Sequence, residues 1–130
     1  MTPDIKEADL LLMVRSAFPD SDVIEADLPM YVVLGRFSRQ LLRWHDDGDI
    51  ETLYCALHLI ERLYLHGDGY VREAAVIGIL ESIQNICSHD GSDAERIGRR
   101  LLPASRRSWD QLNAFWHGKH DAVGDAPHNR

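Results

Sequence analysis

Metal or nucleophile chemistry in this chain would fall first to its seven histidines and two cysteines. A zinc site needs three or four such ligands converging, each steadied by a further hydrogen bond. His45, His58, His66, His89 and His128 fall on separate segments, and only His117 and His120 sit at a helical spacing. Gly118 lies between those two and is expected to end the helix that would align them. No Cys-x-x-Cys or His-Glu-x-x-His spacing occurs. A nucleophile needs a base and an oxyanion donor beside it. Cys87 and His89, two residues apart at a helix end, are the nearest approach. The glycines lie in Gly-Asp turns, and no Gly-Lys-Ser/Thr phosphate loop is present. The expectation is a protein that is not an enzyme and uses no metal or cofactor. Cys55 and Cys87 read as small core residues.

Charge is the stronger signal. The net charge is −7. Residues 1–65 carry 6 basic and 12 acidic side chains, against 8 and 9 in residues 66–130. Such an excess repels phosphate backbones and favours a basic protein partner. Asp46, Asp47 and Glu51 cluster at one turn, where Asp49 is expected to be spent on helix capping. Asp20, Asp22, Glu25 and Asp27 form a second candidate patch. Against this background Arg96, Arg99, Arg100, Arg106 and Arg107 make a basic segment, expected to pair with Asp and Glu. The reading is therefore a protein-binding surface, with no nucleic acid as partner.

The elements that must present these residues are helices. Thr2 and Pro3 suit the start of a first helix, whose inner face would be Ile5, Ala8, Leu11, Leu12 and Phe18. Pro19 stops it, and residues 19–27 form a connector. Met30, Val33, Leu34, Phe37, Leu41 and Trp44 recur at spacings of three and four, which predicts a second helix from Leu28-Pro29. Gly48 and Asp49 turn the chain into a third helix, Ile50 to about Leu65, with Leu53, Leu57, Ile60 and Tyr64 inward. A Gly67-Asp68 turn leads to a fourth, Tyr70 to about Cys87, apolar on two sides and so expected to be central. A short helix over 93–101 and a last one over Ser105–His117 follow. Leu57, Ile60, Val76, Leu80, Trp109 and Trp116 are the expected core. Trp44 joins them, while Tyr31 lies off the main stripe of its helix and Tyr54 borders the inner face of the third. The fold class is all-α, a single-domain bundle or short stack of five to six antiparallel helices over residues 1–118, with a tail over 119–130. Asp68–Leu80 resembles the opening of a HEAT-type repeat helix, though no second copy is visible.

No apolar run approaches the roughly 18 residues of a membrane span. The opening Met-Thr-Pro-Asp-Ile-Lys lacks a basic start and apolar core, so a cytoplasmic protein is expected.

Residues 28–117 carry a familiar order of motifs. Tyr31-Val-Val-Leu-Gly-Arg-Phe is followed by the Gly48-Asp49 turn, Ile60-Glu-Arg-Leu, the Gly67-Asp68 turn and Val76-Ile-Gly-Ile-Leu-Glu-Ser-Ile. Trp109-Asp-Gln-Leu-Asn-Ala-Phe-Trp closes the series and is its most specific piece. This order resembles a family of small, all-helical bacterial proteins of poorly defined function, some of which look like immunity proteins of antibacterial toxins. The resemblance implies no catalytic residue. What it implies is an immunity protein that binds and neutralises a cognate toxin. Asp46, Asp47 and Glu51 are the expected contacts to a basic surface on that toxin. The alternative is a helical adaptor or scaffold module that holds a regulatory protein.

Overall fold

Apolar residues three and four apart build every long element in the computed structural model, which describes residues 5–17 and 28–125. Helix α2 (Met30–Asp46) buries Val33, Leu34, Phe37, Leu41 and Trp44. It starts directly after Pro29, which has no N–H to satisfy there. Gly48 takes φ +80, reversing the chain, and Asp49 caps α3 (Ile50–His66) by accepting the Thr52 amide at 3.4 Å. Asp68 caps the next helix likewise, accepting the Val71 amide at 3.0 Å. That helix runs as α4 (Gly69–Glu73), a π-helical segment (Ala74–Glu81) and α5 (Ser82–Asp90) without interruption. Its π segment packs against α2, α3 and the last helix, so the fourth predicted helix is indeed central. α6 (Glu95–Gly98) and α7 (Pro103–Asp125) complete the all-α bundle after α1 (Glu7–Ser16).

Two buried polar side chains lock this arrangement. The widened π turns disturb the usual pairing of backbone carbonyls. Ser38 of α2, fully buried, brings its hydroxyl to 3.2 Å from the Ile79 carbonyl and 3.4 Å from that of Gly78. Its own Leu34 carbonyl is 2.9 Å away, so one hydroxyl hydrogen is shared among three acceptors. Glu61 of α3 reaches the start of α7. One oxygen accepts the Ala104 amide at 2.9 Å. The other accepts the Ser105 amide at 2.9 Å and the Ser105 hydroxyl at 2.6 Å. Pro103 brings no N–H to this end, so a side chain from another helix takes the first two orphan donors.

Several expectations change. α1 begins at Glu7, with the Asp9 side chain accepting the Lys6 amide at 3.0 Å; Thr2 and Pro3 lie outside the described residues. Ile5 is extended instead of helical, because its amide donates to the His66 carbonyl and its carbonyl accepts the Asp68 amide. In α1 it is Leu10 and Val14 that face the core, and Leu12 is 64 % exposed. Val76 is only part-buried, since the π turns rotate it away from the position an α-helix would give it. Cys55 is exposed, while Cys87 is buried as expected. Gly118 does not end α7, which continues to Asp125. Trp116, far along that helix, is 36 % exposed, whereas Trp109 is buried. Phe18, Pro19 and the rest of the connector to Asp27 fall outside the described residues.

Leu80, on the central helix, is 1 % exposed. Leu80→Ala should cost about 2–5 kcal/mol in urea denaturation, and a negligible cost would mean the π segment is not at the core. Glu61 gives a pH signature. Burial raises its pKa, but the bonds from Ser105 and Ala104 and the nearby Arg107 together hold it below the ordinary 4.5. A carboxylate with a lowered folded-state pKa contributes fully above its unfolded value and loses that contribution as pH falls through the folded one. Stability of the parent should therefore decline as pH drops below about 4.5, and Glu61→Gln should flatten that decline while lowering stability at neutral pH.

Candidate protein-binding face

Tyr31 and Tyr70, near the starts of α2 and α4, lie within electrostatic reach of Glu73 at the end of α4 and Glu7 at the start of α1. Tyr31, one residue into α2, is 43 % exposed, and Tyr70, one residue into α4, is 37 % exposed. Tyr31 is seated by an absence. A Cβ on Gly78 would run into Leu34 and crowd the Tyr31 ring, so glycine there lets α2 pack closely on the π segment with that ring against it. Tyr70 is placed by the Asp68 cap and by the Ile5 tie beneath it. Burial and then the charge of Glu73 push the Tyr31 phenol up. Burial, Glu7 and Tyr31 do the same to Tyr70. Both rings thus stay neutral hydroxyl donors beside carboxylates, and both are partly exposed.

This face was only half visible in the sequence. Tyr31 stood out as lying off the α2 stripe, and Glu73 follows Tyr70 at a one-turn spacing. Nothing local indicated that the start of α1 would bring Glu7 to the same place.

The acidic cluster at the α2–α3 turn is partly committed. Asp49 caps α3, as expected. Asp46 is not free: Arg96 of α6 grips it with two bonds of 3.0 and 3.2 Å, and His45 Nδ1 lies 3.1 Å away. The Arg96 and then the His45 hydrogen bond hold the Asp46 carboxyl below its ordinary value. Asp47 and Glu51 remain exposed beside it. Asp20, Asp22, Glu25 and Asp27 lie outside the described residues.

Three of the five arginines of the basic segment pair with carboxylates, only Arg96 with one from the acidic half, while Arg100 reaches the Tyr54 hydroxyl at 3.5 Å. Besides Arg96, Arg106 bonds Glu95 at 2.8 Å and Asp110 at 3.1 Å, and Arg99 pairs with Asp93 at 3.2 Å. Trp109 Nε1 donates to Glu95 at 3.0 Å, tying α6 onto α7. Phe115 and Trp116 stack edge to face at 5.5 Å on the exposed part of α7.

Among the described residues no group of three or more His, Cys, Asp or Glu side chains is placed to hold a metal ion. No helix among them is long and apolar enough to cross a membrane. A family model described as a domain of unknown function (DUF7674) matches residues 11–117, most of the chain. No curated protein and no solved structure matches it.

Asp46, expected to be a contact for a partner, is thus also engaged in holding α6. Asp46→Ala and Arg96→Ala should each destabilise the α6 attachment. A double-mutant cycle should give a coupling of about 0.5–1 kcal/mol. No coupling would leave α6 held by Trp109, Arg106 and the buried Ile97 without help from Asp46.

Proposed function

We propose that this chain, which belongs to the DUF7674 family, is a protein-binding domain that holds a basic partner against the Tyr31–Tyr70 face. The observation that carries the reading is the pair of rigidly seated, half-exposed tyrosines between Glu7 and Glu73. Tyrosine offers a large contact area at small conformational cost and is favoured at binding hot spots. A ring face bordered by carboxylates suits arginine or lysine, through cation–π contact and ion pairing together. The acidic surroundings would speed the encounter by long-range attraction. Asp47 and Glu51, exposed at the other end of α2, form a separate acidic patch.

The partner we favour is a toxin that this chain neutralises by stoichiometric binding, as an immunity protein does. The support for that finer step is the resemblance carried by Trp109-Asp-Gln-Leu-Asn-Ala-Phe-Trp and the acidic surface that a basic cleft would accept. A cytoplasmic location goes with it. A helical adaptor is the second reading, and a groove between α2 and α5 is the observation in its favour.

The test is association with proteins encoded next to this chain, and protection of cells expressing them. Joint replacement of Tyr31 and Tyr70 by alanine should weaken binding by about thirtyfold or more, the loss of one hot spot, with the circular dichroism spectrum unchanged. Glu73→Gln should slow association and reduce its salt dependence. Binding with undiminished affinity by the tyrosine variant would remove this face from the account. Protection against none of the neighbouring proteins would remove the toxin.

A further inference from the structure

We infer that the groove between α2 and α5 is a second docking site, which takes an acidic peptide segment of a partner protein. The groove has a volume of about 410 Å³. Gly35 and Arg39 form its α2 side, and Ser82, Asn85, Ile86 and His89 line the α5 side. A Cβ on Gly35 would meet nothing within 4 Å, so a peptide backbone can come close to α2 there.

Charge selects the occupant. Arg36, Arg39 and Arg43 follow one another at helical spacing along α2, all exposed, and none forms an ion pair among the described residues. Only Arg43 has a side-chain contact, to Gln40 at 3.5 Å. Three arginines on one stripe with no ion pair among the described residues are notable in a chain with 21 acidic and 14 basic side chains. By contrast, Arg96, Arg99 and Arg106 of the C-terminal half each pair with a carboxylate. Guanidinium groups in a row match carboxylates spaced along a peptide. Ser82 and Asn85 offer hydrogen bonds to its backbone, and the part-buried Ile86 offers an apolar seat for one side chain.

The same wall argues against a nucleic acid. Asp90 also borders the groove, and its carboxylate is fixed by the Ser92 amide at 2.9 Å and by the Ser92 hydroxyl. A continuous phosphate backbone would meet that charge and the overall excess of negative charge. A peptide can place its carboxylates toward α2 and leave uncharged side chains toward Asp90.

The test uses the full chain and three labelled peptides in which leucine alternates with glutamate, with glutamine or with lysine, followed by fluorescence anisotropy. The glutamate peptide should bind about tenfold or more tighter than the other two, a difference of about 1.4 kcal/mol. Arg39→Glu should abolish that preference or turn it toward the lysine peptide. Gly35→Met, which fills open space and favours the helix, should block binding without lowering the melting temperature. Joint replacement of Tyr31 and Tyr70 should leave it unchanged, so this site and the tyrosine face can fail separately. Equal binding of the three peptides, no binding, or indifference to Arg39→Glu would overturn the inference. So would tighter, Arg39-dependent binding of a single-stranded oligonucleotide, which would make the groove a nucleic-acid site.

Discussion

A single buried carboxylate determines where the C-terminal third of this protein sits. Glu61 projects from the middle of α3 and takes the first free amides of α7, so α7 can start only where α3 allows it. From there dependence runs outward through named contacts. Placing α7 places Trp109, whose ring lies so close to Gly98 that no side chain fits there, and whose N–H holds Glu95. Arg106 then closes on Glu95 and on the Gly98 carbonyl at 2.8 Å. The four-residue α6 is thereby fixed, although so short a helix has little stability of its own. Once fixed, α6 sends Arg96 across to Asp46 at the far end of α2. A charge inside α3 thus reaches, through three helices, the turn that leads into α3.

This chain of contacts also explains what could be read from sequence and what could not. The stripe from Val33 to Trp44 and the caps at Asp49 and Asp68 depend on neighbours within a turn or two, and periodicity finds such features readily. No local signal marks Glu61 as a buried acceptor, because its partners lie 43 and 44 residues away. Asp46 looked available for the same reason, its partner being 50 residues distant. At the N-terminus the local signals were misleading. Thr2, Pro3 and Asp4 compose an acceptable helix start, yet Ile5 is held extended by the turn after α3. Trp116 continues the helical spacing of Trp109, but the periodic stripe runs on beyond the point where other helices are there to cover it. The tyrosine face needed α1, α2 and α4 to be assembled before its four residues could be seen as neighbours.

Electrostatics in this molecule are sorted more sharply than the composition suggests. Ion pairs concentrate around α6 and the first turns of α7, where arginines and carboxylates neutralise one another locally. What remains unneutralised falls into separate territories: carboxylates around the tyrosines and at the α2–α3 turn, and guanidinium groups along the middle of α2. Opposite signs that could cancel are instead kept apart by the rigid helix that carries them. Surface charge left uncompensated in this way adds little to folding stability, since exposed pairs contribute modestly even when they form. Its value lies in recognition, where complementarity governs encounter and excludes wrong partners.

The π segment has a consequence for how these surfaces could diverge. A π turn is in effect an α-helix that has accommodated an inserted residue without breaking, and each inserted residue shifts the phase of everything downstream by about 100°. Tyr70 and Glu73 precede that shift, while Ser82, Asn85 and Ile86 follow it, all on one unbroken helix. The helix therefore works as two cylinders coupled by a phase adjuster, with Gly78 and the Ser38 hydroxyl accommodating the joint. Related chains could gain or lose one residue between Ala74 and Glu81 and re-aim one surface relative to the other, leaving both sets of contact residues unchanged.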